Sequence, residues 1–250
     1  MNTCYNPFSL AGKKILVTGA SSGIGKATAI ACAGLGATLI ITGRNADRLQ
    51  ETMDMLAGEN HSMIVADIAV KEQLETLVDS IDSIDGLANC AGIGNSTLSV
   101  FATKKKIDAV YDTNLFAPIE LMRLLFKKKK IANGASLVSV ASIGGIMRCT
   151  NGNIIYGSAK AALNSWMKFL AKEYGAKGIR ANSVCPGMIE TPLIQNSAFN
   201  DEQLDADRQK YALKRYGRPE EVAYAIAFLL SDASSFITGI SLPIEGGVTI

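Results

Sequence analysis

Lys14-Ile15-Leu16-Val17-Thr18 is a short apolar run rich in β-branched residues, and Gly19-Ala20-Ser21-Ser22-Gly23-Ile24-Gly25 follows it directly, opening into an apolar segment of helical period. Glycine lets a backbone turn sharply and approach a pyrophosphate, while the helix N-terminus behind the turn offers unpaired N–H groups and a favourable dipole. Strand, glycine turn and helix in that order start a parallel α/β sheet with a phosphate cradle at its carboxyl edge. A merely tight connection is the competing explanation of the glycines. A nucleotide-hydrolase phosphate loop would need glycine and a hydroxyl where Ala20 and Ala27 stand.

The rest of the chain continues the alternation. Strands are predicted at Lys14 to Thr18, Thr38 to Thr42, Ser62 to Ala66, Gly86 to Asn89, Ser136 to Val140, Ile179 to Val184 and Ile240 to Ile244. Their apolar character predicts burial on both faces. Helices are predicted at Ile24 to Leu35, Ala46 to Leu56, Lys71 to Ile81, Lys104 to Phe126, Ile155 to Tyr174 and Pro219 to Leu230. The fold class is therefore α/β, a single-domain doubly wound Rossmann fold with a parallel sheet of about seven strands, spanning 1–250. The polar stretch 188–216, with Asn196, Asn200, Asp201, Asp205 and Asp207, breaks the rhythm and is expected to be a substrate lid; a helical excursion over the sheet end is the alternative.

Charge and cysteine content exclude several classes. The 25 basic and 23 acidic side chains are interspersed and leave a net charge of +2, which gives no sustained footprint for nucleic acid or membrane. The five cysteines form no metal-ligand spacing, so no metal is expected and reduced structural thiols are. With no secretory leader pattern at the start and no apolar run near the ~20 residues of a bilayer span, a soluble cytoplasmic protein with a small-molecule site is expected.

Within that frame, three groups point to redox chemistry. The second strand ends Ile41-Thr42-Gly43-Arg44, with no acid for an adenosine ribose hydroxyl. Arg44 offers a fork of donors to a ribose 2′-phosphate, so NADP(H) is the expected cofactor, unless Arg44 is only a solvated loop residue. Tyr156 and Lys160 stand four residues apart near the start of a helix and share one face, where the ammonium is expected to pull the phenol towards a useful acid/base range. Ser142 ends a strand at a glycine turn, where a hydroxyl can donate to a substrate carbonyl; Ser139, inside the strand, is the weaker candidate, and a capping serine is the plain alternative. The lone His61 lies too far away in this topology to be the base.

Thr18-Gly-x-x-x-Gly23-x-Gly25, Asn89-Cys90-Ala91-Gly92, Asn114, Ser142, Tyr156-x-x-x-Lys160, Pro186-Gly187 and Gly217-Arg218-Pro219 together resemble the short-chain dehydrogenase/reductase family over nearly the whole chain. The resemblance implies Asn114, Ser142, Tyr156 and Lys160 as catalytic residues. It implies cofactor contacts from Gly19, Ser21, Ser22, Gly23, Ile24, Gly25, Arg44, Asp67, Ile68, Asn89, Ala91, Gly92, Tyr156 and Lys160, and from Pro186, Gly187, Ile189 and Thr191 around the nicotinamide carboxamide. Cys90 departs from the family's usual second asparagine, and a structural role for Asn89 stays open beside ligand contact. A homodimer or homotetramer is implied, with helices Lys104 to Phe126 and Ile155 to Tyr174 as the shared face.

The reaction implied is hydride transfer between NADP(H) and a carbonyl or secondary alcohol, with Tyr156 as acid/base. The compact length and the segments around Gly217 and Glu245 look most like 3-oxoacyl-carrier-protein reductases, with Lys127 to Lys130 and Lys177 able to attract an acidic acyl carrier protein. A steroid, sugar or other secondary alcohol is an alternative substrate. A non-catalytic nucleotide sensor is an alternative of another class, disfavoured because Ser142, Tyr156 and Lys160 are all present.

Overall fold

Seven parallel strands form one sheet in the order β3-β2-β1-β4-β5-β6-β7. They are β1 (Lys14–Thr18), β2 (Thr38–Gly43), β3 (Ser62–Val65), β4 (Ile84–Asn89), β5 (Ile131–Val140), β6 (Arg180–Pro186) and β7 (Ser241–Ile244). The structure, a computed structural model, describes residues 5–192 and 201–250. The strand order reverses between β1 and β4, which opens a crevice at their carboxyl ends where ligands bind in open α/β sheets.

Successive residues of a strand point to opposite faces, and each face of this sheet carries its own core. Ile15, Val17, Leu39 and Ile41 pack with helices α1 (Gly23–Gly34) and α8 (Pro219–Leu230) on one side. Leu16, Leu87 and Leu137 pack on the other with helices α3 (Lys71–Asp79), α5 (Ala117–Lys127) and α6 (Ile154–Tyr174). Helix α2 (Ala46–Met53) completes the first half, its N-terminus capped by the Asn45 side chain accepting from the Arg48 N–H. This is the doubly wound single-domain sheet that the sequence predicts.

Three predictions need correction. Burial on both faces holds for the central strands, but at the sheet margin Ser62 and Val65 of β3 are exposed, because an edge strand lacks a neighbour and its covering helix there is short. The predicted helix from Lys104 to Phe126 is divided into α4 (Lys104–Tyr111), a widened π turn at Asp112–Phe116, and α5. Of the polar stretch 188–216, residues 193–200, with Asn196 and Asn200, lie outside the described residues. The remainder contains helix α7 (Asp201–Arg208) and two buried tyrosines, Tyr211 and Tyr216, whose rings meet edge-on at 5.5 Å.

Helix α6 sorts its apolar residues by face. Leu163 and Leu170 are buried in the core, whereas Trp166 and Phe169 stay 38% and 65% exposed.

The connection from β5 to α6 depends on a backbone contact. Gly145 has φ of +78°, and a Cβ there would stand 2.4 Å from the Gly157 carbonyl oxygen in the first turns of α6. Gly145→Ala should therefore cost about 2–4 kcal/mol by urea unfolding, since it adds a clash to the left-handed strain. Gly12, at φ of +79° with nothing within 4 Å, isolates the strain alone, and Gly12→Ala should cost only about 1 kcal/mol. Equal midpoints for the two variants would show that the 145–157 contact does not hold the loop.

Candidate active site

The glycine turn after β1 leaves no space for side chains. A Cβ on Gly19 would lie 2.8 Å from Ala91 Cα, and one on Gly25 would lie 2.3 Å from the Gly19 carbonyl oxygen. Ser22 stands at the N-cap of α1 without making a side-chain cap, and Ser21, Gly23 and Ile24 complete the rim. A bare backbone turn at a helix N-terminus fits the pyrophosphate of a dinucleotide.

The loop after β4 is tied to this turn through Thr18, whose hydroxyl accepts from the Cys90 and Ala91 N–H groups, both at 3.1 Å, and donates to Asn89 Oδ1 at 3.0 Å. Asn89 is 2% exposed, and its amide also reaches Ser139 Oγ at 3.5 Å, so its side chain is occupied inside the sheet. Cys90 fits where an asparagine was expected because its neighbour is the Thr28 hydroxyl, 4.0 Å away on α1. Burial pushes its thiol up to about 12, so it remains a neutral filler.

At the end of β2 Arg44 is exposed, and its only charged neighbour is Asp67, 3.7 Å away after β3. Asp67 is fixed by its own turn, accepting from the Ala69 N–H at 3.0 Å. The Ile68 side chain is buried in the core, which leaves only its backbone near the crevice. Arg44 thus keeps most of its guanidinium fork open beside the adenosine end of the crevice.

Four side chains converge at the ends of β4 and β5. Lys160, 3% exposed, donates to the Val140 carbonyl oxygen at 2.8 Å and lies 5.8 Å from the centre of the Tyr156 ring. Ser142 Oγ accepts from the Gly144 N–H at 3.0 Å and hydrogen-bonds the Tyr156 phenol. Asn114 sits in the π turn, where the extra residue per turn swings its amide to bracket Ile93: its Oδ1 accepts from the Ile93 N–H and its Nδ2 donates to the Ile93 carbonyl, both at 2.8 Å. Asn114 and Lys160 meet over Gly92, where a Cβ would be 2.9 Å from Asn114 Oδ1 and 3.2 Å from Lys160 Nζ.

The electrostatics differ from the expectation that Lys160 draws the phenol down. Burial pushes Tyr156 up to about 12, opposed only by the Ser142 hydrogen bond, and burial pulls Lys160 down to about 8. The Val140 carbonyl takes the ammonium, and desolvation dominates both groups.

The strand β6 runs into Pro186 and Gly187, and the following segment folds back over the cradle. Gly217 N–H donates to Met188 O at 3.0 Å, and Glu190 N–H donates to Gly217 O at 2.9 Å, with Ile189 buried between. Thr191 comes to rest on the glycine turn, its Cγ2 3.2 Å from where a Cβ on Gly23 would stand. The Gly217-Arg218-Pro219 motif has a local cause as well: Pro219 starts α8, and Glu221 accepts from the Arg218 N–H at 2.7 Å. Arg215 and that N–H hold the Glu221 carboxyl down at about 2.

Other candidates fall away by position. Ser139 is fully buried and donates to Met167 Sδ at 3.2 Å. His61 accepts from the Leu39 N–H at 3.0 Å at the far edge of the sheet. Among the described residues no group of three or more His, Cys, Asp or Glu could hold a metal ion, and no helix is long and apolar enough to cross a membrane.

Sequence reasoning missed Asn153. It stands at the N-cap of α6, where asparagine ordinarily caps, yet it makes no side-chain cap. Its Nδ2 is 2.6 Å, and Ser142 Oγ 3.2 Å, from the point where a Cβ on Gly144 would lie. Its spacing before the helix would have suggested only a cap.

Comparison with known proteins covers the whole domain. Residues 19–249 match the family described as Enoyl-(Acyl carrier protein) reductase. The chain is 37% identical to the 3-oxoacyl-[acyl-carrier-protein] reductase FabG of Rickettsia prowazekii, over 96% of this chain and 98% of that one. It is 34% identical to a tropinone reductase homolog of Arabidopsis thaliana, over 97% of this chain and 92% of the other. A solved dehydrogenase/reductase from Sinorhizobium meliloti superposes with a TM-score of 0.87 at 32% identity, over 98% of both chains. Sequence and backbone agree over the same single domain, and the chain belongs to the short-chain dehydrogenase/reductase family of oxidoreductases.

Proposed function

We propose that the protein is an NADP(H)-dependent ketoreductase acting on 3-oxoacyl groups presented by an acyl carrier protein. The observation that carries this reading is the convergence of Ser142, Tyr156, Lys160 and Asn114 on one side of a crevice whose other side is the side-chain-free glycine turn. A sensor has no use for a buried lysine beside a tyrosine and serine. The relatives named as 3-oxoacyl-carrier-protein reductases support the substrate class.

Gly19, Ser21, Ser22, Gly23, Ile24 and Gly25 would hold the pyrophosphate, Arg44 the 2′-phosphate, and Pro186, Gly187, Ile189 and Thr191 the carboxamide end. Asp67, Ile68, Ala91 and Gly92 line the crevice between them. The nicotinamide, when bound, supplies or accepts the hydride. The Ser142 hydroxyl, oriented by the Gly144 N–H, donates to the carbonyl oxygen of the substrate. Tyr156 keeps its proton through the neutral range and delivers it to that oxygen. Lys160 then faces a developing phenolate and stabilises it, while Asn114 fixes the Ile93 backbone and the neighbourhood of the ammonium.

Two surfaces support partners. A groove of about 660 Å³ between the ends of α5 and α6 is rimmed by Arg123, Lys127, Lys129 and Lys177, which suits an acidic carrier protein. Phe116, Trp166 and Phe169 remain exposed on the outer side of the π turn and α6, which suits a second copy and a homodimer or homotetramer. Free thiols at Cys32, Cys90, Cys149 and Cys185 suit a reducing, cytoplasmic setting.

Tyr156→Phe removes the proton donor and keeps the ring, so turnover should fall by about 10²–10⁴-fold with NADPH binding retained. Stopped assays with fluorescence titration of NADPH measure both; near-native turnover would remove Tyr156 from its role. The pH dependence follows from the same groups. Lys160 loses its charge as pH rises through about 8, whereas the phenol stays protonated to about 12. Carbonyl reduction should therefore be level near neutrality and decline above about pH 8, and a rate that climbs from about pH 7 to about pH 10 would show that phenolate is the required form.

Cofactor choice rests on Arg44, which can be changed without touching the reacting groups. Arg44→Ala should weaken NADPH binding roughly ten- to hundredfold, the equivalent of about 1.5–3 kcal/mol for a charge-assisted hydrogen bond, and leave NADH nearly unchanged. Arg44→Asp should add repulsion against the phosphate and an acceptor for the NADH ribose hydroxyl. Equal losses for both cofactors in titration would make Arg44 a support of the loop and not a reader of phosphate.

A further inference from the structure

The side chain of Asn153 is conspicuous for what it does not do. It occupies the N-cap of α6 with its backbone fixed, its N–H donating to Thr150 O at 3.2 Å and its carbonyl accepting from the Gly157 N–H at 2.7 Å. An N-cap asparagine normally turns its side chain back to a free N–H of the first turn. Here the side chain makes no cap and points the other way, into the mouth of the catalytic cleft.

Gly144 makes this possible. Any Cβ there would collide with Asn153 Nδ2 at 2.6 Å, so absence of a side chain at 144 opens the space that the amide fills. The same point is 3.2 Å from Ser142 Oγ, which places the amide donor and the serine hydroxyl side by side. Each has a donor to offer, and the Ser142 oxygen is already engaged by the Gly144 N–H. Two adjacent donors on one wall recognise two adjacent acceptors on a ligand. Immediately beyond Asn153, the chain pairs with Thr97, and a groove of about 380 Å³ opens between Ser96, Thr97, Leu98, Phe101, Lys106 and Gly152.

We infer that Asn153 is a specificity-determining contact, donating from Nδ2 to a second carbonyl two carbons along the chain from the carbonyl held by Ser142. The substrate class it selects is the 1,3-dicarbonyl, in which the reacting ketone is followed by a thioester or ester carbonyl, with the remaining tail leaving along the 96–106 groove. This inference rests on the ketoreductase reading. It adds a reason for that site to prefer a 3-oxoacyl group over an isolated ketone.

The test compares ethyl acetoacetate with 2-heptanone, which has the same chain length and lacks the second carbonyl, in NADPH-coupled reduction by the full-length protein. The wild type should prefer ethyl acetoacetate. Asn153→Ala should lower kcat/KM for ethyl acetoacetate roughly tenfold, mainly through KM, and leave 2-heptanone within roughly twofold. Asn153→Asp is isosteric and a good helix cap, so it folds even if the alanine variant does not; it exchanges the donor for a carboxylate and should abolish the preference at least as fully. A loss shared equally by both substrates, or by neither, would overturn the role of Asn153 while leaving the ketoreductase reading intact. Reduction of neither substrate by the wild type would overturn both.

Discussion

A contact between two stretches of backbone underlies the rest of this protein: the turn at Gly19 lies directly against the loop at Ala91, with no room for a side chain at Gly19. Both stretches follow central strands, β1 and β4, which are paired in parallel and diverge just beyond their last paired residues, Thr18 and Asn89. The Thr18 hydroxyl holds the divergence in place by bonding Asn89, Cys90 and Ala91 together. A side chain at Gly19 would force the strand ends apart, and with them the N-terminus of α1 and the floor of the crevice. Backbone hydrogen-bonding groups can approach a ligand there only because nothing stands in front of them.

The catalytic side depends on a second contact of the same kind, between Gly145 and Gly157. It brings the start of α6 close to the loop after β5, so that Tyr156 and Ser142, from different elements, share a hydrogen bond. Burial is the cost of that convergence. An ammonium as enclosed as Lys160 would be unfavourable unless the Val140 carbonyl received it, and even so its proton is held less tightly than on a free lysine. The same enclosure raises the phenol, so the pair is poised with tyrosine as acid and lysine as the charge that meets the phenolate. Each group is displaced towards its neutral form, as low polarity requires.

Most of this was legible because period and spacing survive in a linear sequence. The alternation of apolar runs and helical segments located every strand of the sheet, and Tyr156 and Lys160 share a helix face by arithmetic alone. What was illegible depends on three-dimensional neighbours. Asp112-Thr113-Asn114 looks like ordinary helix, and only the pull of the Ile93 backbone on the Asn114 amide accompanies the wider turn there. The exposure of Ser62 and Val65 depends on β3 lying at an edge, which strand order decides and local composition does not. The raised Tyr156 shows the same limit, since sequence displays the nearby cation but not the depth of burial that outweighs it. Asn153 was hidden because its cap-like position suggests a purely structural residue.

Helix α6 links the chemistry to the outer surface. Tyr156, Lys160, Leu163, Met167 and Leu170 follow one another at helical spacing; Lys160, Leu163, Met167 and Leu170 are buried against the sheet, while Tyr156 looks into the crevice. Trp166 and Phe169 project from the opposite side, more than a turn beyond the lysine, and a second copy docked there would press the helix towards the sheet. A rigid helix transmits rotation along its whole length, so a partner seated on Trp166 and Phe169 would limit the angle at which Tyr156 meets Ser142. Catalytic hydrogen bonds tolerate little misalignment. The exposed aromatic side of α6 is therefore positioned to stabilise the geometry of the site from outside it, without contributing an atom to the reaction.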